Sequence, residues 1–187
     1  MEETTASLDA CVLYPAPLRD FFMHLALLDT FRARWTQAIH DEWMRNVLQN
    51  RQDLSRAQLE RTRELMNAHV RDCVVENYES LIDSLDLPDA DDRHVLAAAI
   101  HAEAEAIVTF NLKDFPAETL TPFGIEAIHP DVFIVMLFDE NAALVISAIE
   151  RQQSSLKNPP RSMTELLETL ENNGLKETVN RLRQFFA

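Results

Sequence analysis

Carboxylates recur in this sequence where strands give way to helices. Asp9 lies in the short apolar stretch SLDACVL, and Glu42 comes early in QAIHDEWMRNVLQN. Asp92 opens DDRHVLAAAI, and Asn111 and Asp114 follow directly after AIVTF. Acids held close together are costly unless a positive charge stands among them. A hard divalent cation such as Mg²⁺ or Mn²⁺ prefers oxygen ligands and keeps part of its water shell, so a few carboxylates suffice. Such an ion stabilises charge developing on a phosphate. A carboxylate cluster without a Cys or His ligand set beside it is chemically matched to phosphodiester hydrolysis. Each acid also has an ordinary role open to it: Asp9 and Asp114 as turn formers, Asp92 as a helix N-cap, Glu42 as a solvated helix residue.

The elements that must position these acids can be read from spacing. ASLDACVLYP starts as a strand stopped by Pro15. PLRDFFMHLALLDT has apolar residues at helical spacing, with Pro17 in its first turn. FRARWT suits a second strand, and the segment with Glu42 sets Ile39, Trp43, Val47 and Leu48 near one helix face. Ser55 caps a helix running to Val70. Asp92 to Ala106 reads as a helix with a small-residue inner side, AIVTF as a strand, and FGIEAIHP as another. From Asp131 onward the pattern is helical, broken by the linker KNPPR; Ser162 opens a capping box and Gly174 ends a helix. Strands therefore alternate with helices over residues 1–130, which predicts an α/β domain with a mostly parallel sheet, and residues 131–187 form a helical C-terminal extension. In a parallel sheet all strand C-termini share one edge, so acids from four segments could converge there.

Formal net charge is −14, from 31 acids against 17 Lys plus Arg. That balance excludes binding nucleic acid through the general surface and calls for metal ions, a local basic patch or a basic partner. Arg51 to Arg71 carries five Arg against three acids, while Glu76 to Asp92 has seven acids and no Lys or Arg; both read first as solvated faces. Two Gly favour helices over tight hairpins, and Cys11 and Cys73 read as reduced thiols. The acidic N-terminus lacks a signal-peptide pattern, and no uninterrupted apolar run approaches the roughly 18 residues that span a bilayer. A soluble, cytoplasmic protein is expected. His94 and His101 read as ordinary helix residues. The Phe21–Phe22 and Phe185–Phe186 pairs read as core or interface.

Taken in order, LDACVLYP, HDEWMRNV, DDRHVLAAAI and IVTFNLKDFP resemble the PIN domain family of metal-dependent ribonucleases, and within it the VapC-type toxins of toxin–antitoxin pairs. The resemblance covers roughly Ser7 to Pro130. It implies a three-layer α/β/α fold and cleavage of single-stranded RNA. The family's acids fall on Asp9, Glu42, Asp92 and Asp114, which would surround Mg²⁺ or Mn²⁺, with Asp91 as understudy to Asp92 and Asp89 left to the loop. Thr109 and Asn111 would position ligands or the scissile phosphate. Arg93, Lys113 and Arg19 flank the motifs and are the nearest cations for RNA. Cys11 stands where many relatives have Asn, and Asn111 where many have Asp. The resemblance further implies a DNA-binding antitoxin as partner; the apolar C-terminal stretch IVMLFDENAALVISAI reads first as helix core and second as a surface for such a partner or a second copy.

Overall fold

The computed structural model of the protein describes residues 3–187. Strand β1 (Thr5–Leu8) is followed by the single helical turn α1 (Ala10–Leu13) and by α2 (Ala16–Leu27). Next come β2 (Arg32–Arg34), α3 (Gln37–Asn50) and α4 (Arg56–His69), then 3₁₀ turns at Glu79–Ser84 and Ala90–Asp92. After them lie α5 (Arg93–His101), β3 (Ala106–Val108), α6 (Ala117–Leu120), β4 (Glu126–Ile128), α7 (Pro130–Ser155), α8 (Met163–Asn172) and α9 (Lys176–Phe186). The four strands form a wholly parallel sheet in the order β2-β1-β3-β4.

Every residue from Ala6 to Leu8 and from Ala106 to Val108 is buried, on both faces of the sheet. That is the signature of a parallel sheet covered on each side, and it yields the α/β/α layering. Helix α5 packs on β1 and β3, and its residues Val95 to Ala99 are all inaccessible. Its small side chains let the helix axis approach the sheet closely. The aromatic core at the other layer joins Phe22, Phe31 and Phe133, with Phe31 and Phe133 ring centroids 5.1 Å apart and edge to face.

Local chemistry departs from the sequence expectation in three places. The first strand does not run to Pro15: it stops at Leu8, because Asp9 accepts the Ala10 N–H at 2.7 Å and starts a helical turn. Helix α5 ends at His101 and not near Ala106. Glu103 takes a left-handed φ of 51° there, a C-cap conformation that no Gly announces, and Ala104 N–H turns back onto Ala99. Helix α7 has 26 residues, and its most apolar 18-residue window has mean hydropathy 2.0, long and apolar enough by composition to cross a membrane. Asp139, Glu140 and Asn141 interrupt the apolar runs and so hide that property from a reading by uninterrupted stretches. In the fold α7 packs against α2, α8 and α9, with Phe133, Ile134, Leu137, Val145 and Ile149 in the core. Asn141 leaves helical geometry (φ −153°, ψ 83°) and its Oδ1 accepts the Leu144 N–H, which restarts the helix.

The two charged stretches are solvent-facing. Arg51, Arg56 and Arg63 each pair with a neighbouring acid on or beside α4. Glu76, Glu79, Asp83, Asp86, Asp89 and Asp91 are exposed. Phe21 and Phe22 are core, whereas Phe185 and Phe186 are exposed.

Candidate active site

The two central strands, β1 and β3, end side by side, and each hands the chain to a polar corner. Asp9 follows β1 and donates its own N–H to Val108 O at 3.1 Å. Its side chain is 3% exposed. Oδ1 accepts from Ala10 N at 2.7 Å. Oδ2 accepts from the Thr109 hydroxyl at 2.7 Å and from the Cys11 thiol at 3.2 Å. Burial raises the Asp9 pKa, the hydrogen bonds from Thr109 and Cys11 oppose the rise, and the charge of Glu42 adds to it. Burial and the Asp9 charge push the Cys11 thiol up to about 12, so it stays protonated and remains a donor.

Thr109, fully buried, links this corner to the next segment: its Oγ1 also accepts the Asn111 N–H at 3.0 Å. Phe110 N–H points at Cys11 Sγ at 3.4 Å. The chain then makes a 3₁₀ turn over Leu112–Asp114, which carries Lys113 outward and leaves Asp114 half-buried.

Asp92 ends the 3₁₀ turn Ala90–Asp92 and caps α5 by position only, with no side-chain hydrogen bond to the helix. Its carboxyl is pushed up to about 7, first by burial and then by the charges of Asp9, Asp89, Asp114 and Glu42. Asp9, Asp89, Asp114 and Glu42 thus all bear on Asp92, five acids in one electrostatic field. Glu42 is brought there by α3, whose start is fixed by the Thr36 hydroxyl accepting the Ile39 N–H. Its Oε2 lies 3.7 Å from His94 Nε2. Among the described residues no donor hydrogen-bonds the carboxylates of Asp92 or Asp114, and no three His, Cys, Asp or Glu side chains close into a ready metal cage. The donors are nevertheless hard oxygens, and the neighbouring acids add to the rise at Asp92, a set that a hydrated Mg²⁺ or Mn²⁺ would relieve.

The fold therefore gathers Asp9, Glu42, Asp92, Asp114 and Thr109. Asn111 joins through its backbone, its side chain being exposed. Asp91 is exposed, with its N–H held by Asp89 Oδ1, and it is the charge of Asp89, not of Asp91, that bears on Asp92. Lys113 is exposed next to Asp114, and Arg93, half-buried beside Asp92, has a buried Nε without a partner. Arg19 is not a free surface cation. It donates to Leu13 O at 2.7 Å and lies 4.4 Å over the Trp43 ring, and burial draws its pKa down to about 10.

His94, expected as an ordinary helix residue, lies beside one of the acids. It sits in the first turn of α5, with Nδ1 buried and unpartnered and Nε2 towards Glu42. Its position two residues after Asp92 was the available signal. A cavity of about 890 Å³ lies between α2, α4 and the segment after α7, lined by Met23, Leu65, Met66, Leu156 and Pro159. None of the four acids lines it.

Comparison with known proteins adds two matches to family models. One described as PIN domain covers residues 4–113, and one described as VapC50 C-terminal domain covers residues 130–184. The curated protein "Putative ribonuclease VapC50" of Mycobacterium tuberculosis is 42% identical over 79 residues. That alignment takes in 42% of this chain and 47% of the relative, so the chain spans about half the length of the curated protein it matches. No solved structure matches.

Proposed function

The chain belongs to the PIN domain family, and on that premise we propose that it is a metal-dependent endoribonuclease acting as the toxin of a type II toxin–antitoxin pair. The observation that carries this reading is the gathering of Asp9, Glu42, Asp92 and Asp114 in one field. These four would hold Mg²⁺ or Mn²⁺, partly through waters. When bound, the cation offsets the mutual repulsion of the acids and stabilises charge developing on the phosphate.

The protein's own groups have separable tasks. Asp9 is fixed by three donors and so presents its carboxylate in one orientation. Thr109 holds Asp9 and, through the Asn111 N–H, sets the start of the turn that carries Asp114. Asn111 contributes an amide where a carboxylate would add charge. Arg93 and Lys113 are the cations nearest the acids in sequence and would contact the RNA backbone. Residues 1–130 would form the nuclease domain and 131–187 the helical extension. The partner would be a DNA-binding antitoxin whose basic segment meets the acidic edge, and a net charge of −14 suits such a segment. Assembly into a homodimer and residence in the cytoplasm complete the reading.

Single-stranded RNA incubated with Mn²⁺ and either the wild type or Asp9→Ala tests the assignment. Cleavage by the wild type alone is expected; equal cleavage by both removes it. A second reading, a PIN-like RNA-binding or interaction protein without cleavage, is favoured by the uncharged Asn111 and by Cys11 beside Asp9. Calorimetric titration with Mn²⁺ separates the two, since absence of binding at millimolar concentration supports the second.

A further inference from the structure

The helical C-terminal region touches the loop that follows β3 and the start of α2. Gly174, in the turn between α8 and α9, has φ 97°, and a Cβ there would lie 2.9 Å from Phe110 Cε1. Phe110 is the residue between Thr109 and Asn111, and its N–H meets Cys11 Sγ. Its ring stands edge-on to His129, with centroids 5.0 Å apart. His129 in turn caps α7, accepting the Asp131 N–H at 3.2 Å. The Asp131 carboxylate then caps α9, accepting Glu177 N at 2.9 Å and Thr178 N at 2.8 Å. A continuous set of contacts thus runs from the α8–α9 turn and the α9 N-terminus to the loop that carries Asn111 and Asp114. Gln152 of α7, 1% exposed, also donates to Pro17 O at the start of α2 at 2.9 Å.

The geometry points to the C-terminal helices as the part that fixes the Phe110–Asp114 loop in its working position, with Gly174 and Phe110 as positioning residues. The reason lies in the loop itself. Between Phe110 and Asp114 no side chain is fully buried, and the local 3₁₀ turn is too short to hold its shape alone. Phe110 is the one large side chain that anchors the loop before the turn begins, and the space it fills is bounded by His129 and by a residue that has no Cβ. Any larger residue at position 174 displaces the ring, and with it the Asn111 N–H that bonds Thr109, the hydroxyl that holds Asp9.

This inference rests on the nuclease reading, and its test has one arm that needs no activity. Hydrogen exchange on the full chain is compared for wild type, Gly174→Ala, Phe110→Leu and the double variant. In Gly174→Ala the amides of Phe110 and Asn111 are expected to exchange at least tenfold faster, with β1 and β3 unchanged. On RNA with Mn²⁺, kcat falls about tenfold while KM stays within twofold, since loop placement and not substrate capture is altered. Phe110→Leu makes room for the new methyl group, so the double variant exceeds the product of the two single effects at least threefold. Strain from the positive φ alone would give no such rescue, and that outcome overturns the inference. Faster exchange confined to residues 170–178 overturns it as well. If Gly174→Ala does not fold, Phe110→Leu alone must loosen the Asn111 amide, and an unchanged amide then counts against it. A wild type that cleaves no RNA strikes the nuclease reading, while the exchange data still decide the clamp.

Discussion

The two halves of the carboxylate cluster are built differently. Asp9 is buried, capped by a backbone N–H and held by a hydroxyl and a thiol. Asp92, Asp114 and Glu42 are half-exposed, and their positions come from the helices and turns that carry them. The first half is finished by folding. The second is a set of like charges with little to answer them, and burial with neighbouring acids suppresses ionisation of Asp92 to about 7. Preorganised donors fix one carboxylate, while neighbouring charge and burial bear on Asp92.

That contrast can be broken at its strongest point first. Asp9→Ala is expected to reduce RNA cleavage on the order of 10³-fold in initial-rate assays with Mn²⁺, the scale of a lost group that offsets transition-state charge. Thr109→Val removes the shortest donor to Asp9 Oδ2 and leaves a buried carboxylate short of a partner. Denaturant unfolding should show a loss of about 2 kcal/mol, with cleavage also reduced. The same kind of change in the other half should have the opposite sign. A carboxyl whose folded pKa is raised contributes stability that is present below about 3.8 and is lost as pH rises through about 7. With EDTA present at pH 8, Asp92→Asn should therefore be more stable than wild type by about 1 kcal/mol, a value discounted for solvent screening at a half-exposed site. Its unfolding midpoint should vary less between pH 4 and 7, and it should lose cleavage. A less stable Asp92→Asn would mean that the second half is held by contacts and not strained by charge. The smallest effect belongs to Cys11→Ser, since a hydroxyl can replace the thiol as donor to Asp9. Cleavage within about threefold of wild type is expected, and a far larger loss would assign the sulfur a role of its own.

Much of this was legible in the chain. The caps at Ser55 and Ser162 and the small face of DDRHVLAAAI are local patterns, and local patterns predict elements. The sites where prediction slipped depend on contacts between distant segments. Asp9 ends its strand because a neighbouring N–H and the distant Thr109 hydroxyl complete its hydrogen bonds, which a strand pattern does not encode. Arg19 looks like a free cation in PAPLRDFF, yet it is taken up by Leu13 and Trp43. His94 shows its relation to Glu42 only when the fold brings the first turn of α5 next to that side chain. Nothing in NNGLK announces that its Gly faces Phe110.

Thr109 and Asp9 are 100 residues apart in the chain, although their side chains are 2.7 Å apart in space. Proteins are synthesised from the N-terminus, and long-range pairings form late because the loop between them must first be closed. A nascent chain that has delivered Asp9 and Glu42 but not Thr109 has neither β3 beside β1 nor the hydroxyl that orients the carboxylate. The corner that orients the Asp9 carboxylate is therefore assembled only after more than half of the chain has been made.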